Sequence, residues 1–168
     1  VCYPKLNVKL ALTHAGLTVG EDGATHQMLE DIALMNALPN MTVIVPADDT
    51  EAKQVVKAAV EIDGPVFMRF ARAATPVVFG DDYKFEIGKA ATIKEGNDVT
   101  LIACGIMVQK ALEAADELAK EGINARVINM ATIKPLDKDA VIKAAKETGA
   151  IVTAEEHYIM GGLGSAVT

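Results

Sequence analysis

Apolar residues recur along this chain in two rhythms. TVIV (42–45), PVFMRF (65–70), VTLIAC (99–104) and ARVINM (125–130) are nearly continuous apolar runs, the pattern of strands buried on both faces. KLALT (9–13) alternates instead and predicts a short strand feeding a loop, while AIVTAEE (150–156) predicts the last strand. Elsewhere apolar positions return every three or four residues. Met28, Leu29, Ile32, Ala33, Met35 and Leu38 predict a helix from Thr25 to about Ala37, ended by Pro39 and Asn40. Ala52, Val55, Val56, Ala59 and Val60 predict a second, capped by Asp48 or Asp49 and closed by the turn Asp63-Gly64-Pro65. Helices are also expected over Met107 to Glu121 and Leu136 to Glu147, with Pro135 near the start of the latter and Asp137 as its cap. A glycine turn at 161–164 opens a final one.

Strands alternating with helices predict an α/β fold of mainly parallel sheets with helices packed on them. The rhythm breaks between Ala73 and Asp98, where glycines and acids mix with short apolar pieces, and then restarts. Two consecutive α/β units follow: residues 1–75, a linker at 76–97 holding a strand or two, and residues 98–168. The first unit has only three strands and two helices, which leaves a small sheet with unprotected edges.

Composition narrows the class. The 168 residues are 51% hydrophobic and 23% charged, enough apolar material for a globular core. A net charge of -7, with no cluster of Lys and Arg, argues against nucleic acid as a partner. No run is long enough to span a membrane, and no signal-peptide pattern begins the chain. Cys2 and Cys104 lack metal or redox spacing, which suits reduced thiols and a cytoplasmic location. Val1 in place of Met, and an ending inside the expected last helix, point to a piece of something longer.

Candidate chemistry concentrates in THAGLTVGEDGATHQ (13–27), which holds His14, Glu21, Asp22 and His26 among Gly16, Gly20 and Gly23. The glycines allow tight turns. The stretch begins where a strand ends, at the carboxyl edge where open α/β sheets place their ligands. Two imidazoles and a carboxylate can orient a hydroxylated substrate, move protons, or hold a metal through one acid and two histidines. A polar turn in which Asp22 or Thr25 caps the next helix accounts for the same residues. GEDG is neither a dinucleotide fingerprint nor a phosphate loop. Arg69 and Arg72 follow a strand core, where a guanidinium fork suits a phosphate or carboxylate, or a surface ion pair. EEHYIMGGLG, from Glu155, again follows a strand; its acids and His157 fit catalysis, an oligomer contact or a helix entry.

Read in succession, these motifs resemble one family. THAGLTVGEDGATHQMLEDIALMNALPNMTVIVPAD is similar to the pyrimidine-binding domain of transketolases, and ATIKPLD (131–137) and EEHYIMGGLGSAV (155–167) resemble their C-terminal domain. The resemblance implies a thiamine-diphosphate-dependent transferase that moves a two-carbon ketol unit between sugar phosphates in the pentose phosphate pathway. By the same resemblance, His26 is the catalytic and cofactor-facing histidine, Asp22 binds a substrate hydroxyl, and His14 and Arg72 bind the sugar phosphate. The roles of Glu21, Arg69 and His157 stay open.

1-Deoxyxylulose-5-phosphate synthases share the DG-THQ core and the KPLD segment, but typically carry arginine where His14 stands and alanine where Glu21 stands. Those two positions, with Glu156-His157-Tyr158, favour transketolase; a fragment of that synthase and a non-catalytic assembly subunit are the alternatives. Many transketolases have aspartate where Ala15 stands, which marks a different subgroup. The family's cofactor-activating glutamate and stacking aromatic residue would lie before Val1. The domain that binds the diphosphate and a divalent metal such as Mg is expected on another domain or subunit. This chain is therefore expected to be a C-terminal section or a split-enzyme subunit, inactive alone, in a homodimer or larger assembly.

Overall fold

The computed structural model describes residues 1–168 as two four-stranded sheets that share a core. The first sheet has the order β1 (Lys9–Leu12), β3 (Val66–Arg69), β2 (Thr42–Ile44) and β7 (Thr132–Lys134). β1, β3 and β2 are parallel, and β7 runs antiparallel to β2. In the second sheet, β6 (Ala125–Asn129), β5 (Val99–Ala103) and β8 (Ile151–Ala154) are parallel, while β4 (Ala91–Lys94) pairs antiparallel with β6. The helices are α1 (Asp31–Ala37), α2 (Asp49–Glu61), α3 (Met107–Lys120), α4 (Lys138–Glu147) and α5 (Leu163–Val167). The mainly parallel α/β fold thus stands as the sequence predicts.

The continuous apolar runs are continuous because both faces of their strands are covered. Every residue of β3 and of β6 is buried. Val43, Val45 and Phe67 of the first sheet pack in one cluster with Ile102, Ile128 and Met130 of the second. Each such buried side chain contributes about 1.5–3 kcal/mol, so the shared cluster ties the two sheets together.

Two features differ from the expected pattern. β7 comes from beyond the linker yet completes the first sheet, so the edge beyond β2 is covered. The helix expected from Thr25 begins only at Asp31, because Met28 bridges to Ala15 and its carbonyl accepts from Gly16 N–H at 3.0 Å and Arg69 Nη2 at 3.1 Å. Tertiary hydrogen bonds at Met28 hold this stretch out of the helix against its helical spacing.

The linker holds one strand, β4, and is tied down by helix caps. Asp48 caps α2 by accepting from Glu51 N–H through Oδ1, and its Oδ2 accepts from Val78 and Phe79 N–H at 2.7 and 2.8 Å. Asp137 repeats the device, with Oδ1 on Ala140 N–H and Oδ2 on Ala90 N–H. At the N-termini of α2 and α4, one aspartate thereby starts the helix and fastens the linker.

Candidate active site

The 13–27 stretch leaves the end of β1 and returns to α1 as a closed excursion. His14 adopts φ 67°, a left-handed conformation rare for a residue with a side chain. Gly16, at φ 86°, turns the chain so that its N–H meets Met28. Between these ends lies a 3-10 segment, Leu17–Asp22, broken at Gly20 (φ 76°) and followed by a turn at Gly23 whose carbonyl accepts from His26 and Gln27 N–H at 3.0 and 3.2 Å. Val19 is fully buried and anchors the middle, and Gln27 donates to the Leu17 carbonyl at 3.1 Å. A loop pinched at its neck and filled by its own side chains presents its polar groups from a fixed frame.

Arg72, just past β3, reaches into this loop. Its Nη1 donates to the Val19 carbonyl at 2.5 Å, and its Nε lies 3.6 Å from Asp22 Oδ2. Both side chains are about two-fifths exposed, at 41% and 39%, so the pair is open to a ligand. Two candidate residues fifty positions apart are thus brought together. Arg69 behaves differently. It is buried, its Nε donates to Asp31 Oδ2 at 2.7 Å, and its Nη2 donates to the carbonyls of Met28 and Glu156 at 3.1 and 2.8 Å. Protein acceptors take its Nε and Nη2, so of the two readings left open for Arg69, anion ligand or surface ion pair, the structure shows an ion pair, and a buried one.

The two exposed histidines share one arrangement. His14 Nδ1 lies 2.8 Å from Thr13 Oγ1, and His26 Nδ1 lies 2.9 Å from Thr25 Oγ1. Each threonine engages the inner ring nitrogen, and Nε2 has no protein partner. His26 lines an open concavity of about 360 Å³ with Gln27, Met28, Leu29, Glu30 and Tyr158. No hydrogen bond joins either histidine to the Asp22–Arg72 pair. Glu21 is exposed. No group of three or more His, Cys, Asp or Glu is arranged to hold a metal ion, so the alternative of a metal on one acid and two histidines has no cluster behind it.

The segment after β8 contributes more than its sequence suggested. Glu156 accepts from Thr18 N–H at 3.0 Å and from Thr18 Oγ1 at 3.1 Å. His157 Nε2 accepts from Ala33 N–H at 3.2 Å in the first turn of α1, which leaves its Nδ1 hydrogen to the Tyr158 carbonyl at 2.7 Å. Tyr158 N–H donates to the Leu29 carbonyl. Glu155 accepts from Leu163 and Gly164 N–H at the start of α5. The acids and His157 therefore satisfy backbone donors of neighbouring segments. Tyr158 lines the same concavity as His26; in the sequence it counted only as part of Glu156-His157-Tyr158, with no role at the site.

The perturbed groups, Cys104 and Glu51 among them, lie off the loop. Burial pushes the Cys104 thiol up, with Glu155 adding to the effect, so it stays protonated. Burial also raises the Glu51 carboxyl, opposed by hydrogen bonds from Tyr83, Ala47 and Asn129.

Comparison with known proteins places this geometry in a family. The models for the transketolase pyrimidine binding domain and the transketolase C-terminal domain match residues 1–77 and 88–168. A Methanocaldococcus jannaschii protein whose provisional name is transketolase C-terminal section is 50% identical over 99% of this chain and 52% of its own length. A 1-deoxy-D-xylulose-5-phosphate synthase of Heliobacterium modesticaldum is 42% identical over 99% of this chain and 26% of its own length. A solved split-gene transketolase, described as an inactive beta4 tetramer, superposes with a TM-score of 0.93 at 56% identity, covering 99% of this chain and 54% of that one. The chain spans about half the length of the first curated relatives it matches. With both domain models matched in succession, the chain belongs to the transketolase family, of which it carries a pyrimidine-binding and a C-terminal segment.

Proposed function

We propose that this chain is the part of a cytoplasmic, thiamine-diphosphate-dependent transketolase that binds sugar phosphates and handles their protons. Residues 1–75 act as a partial pyrimidine-binding domain, 76–97 as a linker and 98–168 as the C-terminal domain. The observation that carries this reading is the Asp22–Arg72 pair, which sets a hydroxyl acceptor and an anion-binding fork side by side at the end of β3. The family resemblance supplies the cofactor, and the chain's own residues fit one end of it only. The concavity beside His26 is partly apolar and open, as the reactive end of a planar cofactor requires. No metal cluster here answers the diphosphate end, which falls to a partner domain or subunit holding a divalent metal.

When bound, thiamine diphosphate supplies a thiazolium carbon that holds the two-carbon ketol unit and its developing charge. The remaining work is positioning and proton transfer. His26 Nε2, free while Thr25 holds Nδ1, takes or gives a proton at the donor's oxygen. Asp22 accepts from a substrate hydroxyl and so selects its configuration. Arg72 and His14 bind the phosphate at the far end, and that remote binding energy orients the reacting carbons. The assembly is a homodimer of complete enzymes or a heterotetramer, and the reaction belongs to the pentose phosphate pathway.

The test is ketol transfer from xylulose 5-phosphate by this chain with its diphosphate-binding partner. Transfer is expected from the pair, and none from this chain alone. Transfer by the isolated chain, or by the pair without thiamine diphosphate, overturns the reading. The 42% identity to a 1-deoxy-D-xylulose-5-phosphate synthase favours a second one; condensation of pyruvate with glyceraldehyde 3-phosphate by the same pair would select it. Unchanged turnover in His26→Ala would instead assign the chain a purely assembling role.

A further inference from the structure

The loop that carries Asp22 and His26 is held by the C-terminal unit. Glu156, two residues beyond β8, places both carboxylate oxygens on Thr18: Oε1 accepts from the backbone N–H at 3.0 Å and Oε2 from the hydroxyl at 3.1 Å. Thr18 is the second residue of the 3-10 segment that ends at Asp22. A 3-10 start has orphan N–H donors, and no residue of the loop caps this one. The remote carboxylate does so.

The fit is close on the other side as well. A Cβ on Gly16 would lie 2.5 Å from Glu156 Oε2 and 3.0 Å from its Cβ, so glycine at the neck makes room for this side chain. The Glu156 carbonyl also accepts from Arg69, which in turn holds the Met28 carbonyl on the opposite side of the neck. One residue thus fastens the loop's entry, and through Arg69 its exit.

We propose that Glu156 is a positioning residue: it fixes the 17–22 segment so that Asp22 meets the donor's hydroxyl, and this couples the C-terminal unit to the reaction. The proposal rests on the reading of the loop as a sugar-phosphate pocket. The contacts require two oxygen-like ends at the reach of a glutamate. Glutamine satisfies that, since its carbonyl accepts from Thr18 N–H and its amide donates to Thr18 Oγ1. Aspartate keeps the charge but is one methylene short.

The experiment compares Glu156→Ala, Glu156→Asp and Glu156→Gln in this chain assembled with its diphosphate-binding partner. Amide hydrogen exchange over residues 17–23 is read first, because it needs no turnover. Exchange is expected to rise about tenfold or more in the Ala and Asp variants, the scale of losing one charge-assisted hydrogen bond, and to stay near the parent rate in Gln. In ketol transfer, Ala and Asp should lose about tenfold in kcat/KM and narrow the preference between donors epimeric at the hydroxyl Asp22 binds, while Gln restores most of both. Unchanged exchange in the Ala variant overturns the clamp. So does exchange that rises without any change in donor preference. Absence of ketol transfer in the parent assembly would instead count against the sugar-phosphate reading and leave the exchange result to decide the clamp.

Discussion

Arg69 of β3 and Asp31 at the start of α1 form an ion pair of 2.7 Å whose side chains are 6% and 9% exposed. The pair sits under the neck of the loop, and Arg69 extends it to the Met28 and Glu156 carbonyls. Removing one partner leaves a buried charge without its counter-ion. Asp31→Ala should cost about 3–5 kcal/mol in urea unfolding, and the double change Asp31→Leu with Arg69→Met should cost less than the sum of the two single changes.

Arg72 and Asp22 are about two-fifths exposed, so their changes should act on substrate more than on stability. In the assembled enzyme, Arg72→Ala should raise KM for phosphorylated donors about tenfold or more, the loss of a charge-assisted contact. KM for an unphosphorylated ketose should move little. Asp22→Asn should reduce discrimination between hydroxyl epimers with phosphate preference intact. Steady-state kinetics with paired donors check both.

Glu51 lies fully buried, accepting from Tyr83 Oη at 2.6 Å, Asn129 Nδ2 at 2.7 Å and Ala47 N–H at 2.7 Å. Burial raises its folded-state pKa above the ordinary value of 4.5. A group raised on folding stabilises most below its unfolded pKa, and that contribution is lost as pH rises through the folded value. Glu51→Gln does not titrate. Its stability deficit relative to the parent chain should therefore be largest in acid and shrink as pH rises above 4.5, measured by urea unfolding across that range.

Two glycines separate crowding from backbone strain. Gly122 has φ 82°, with nothing within 4 Å of where a Cβ would stand. Gly161 has φ 81°, and its Cβ would lie 2.5 Å from that of Ala33 on α1. Gly122→Ala should cost about 1–2 kcal/mol, the left-handed conformation alone. Gly161→Ala should cost that plus about 1–3 kcal/mol for the clash, and chemical unfolding of both variants checks the difference.

The parts legible in the sequence are those fixed by neighbours along the chain. PVFMRF and ARVINM read as buried strands because each is nearly continuously apolar, and Asp137, with Asp48 or Asp49, read as caps because a cap's donors lie only three residues on, as the bonds of Asp48 and Asp137 do. What was not legible depends on distant partners. β7 is three residues long and only Met130 and Ala131 separate it from β6, so nothing local announces a change of sheet. Met28 and Leu29 keep helical spacing, yet Arg69, some forty residues on, draws 25–30 out of the helix. At the site, residue types nominated His14, Glu21, Asp22, His26, Arg69 and Arg72, the family resemblance singled out His14, Asp22, His26 and Arg72, and the fold joined Asp22 to Arg72. Nothing in the sequence ties Glu156 to Thr18, since that bond spans 138 positions.

The crossing of β7 into the first sheet makes the two halves poor candidates for modular exchange. A cassette cut at residue 77, where the first domain match stops, would carry β2 with its outer row of backbone groups at Val43 and Ile44 bare. Such an edge recruits other strands and aggregates. A cassette beginning at 88 would carry β7 with no sheet to join. Recombination must therefore inherit the stretch from β2 to β7 whole, and because β1 pairs with β3 and β8 with β5, a junction that leaves both sheets intact falls before Lys9 or after Ala154.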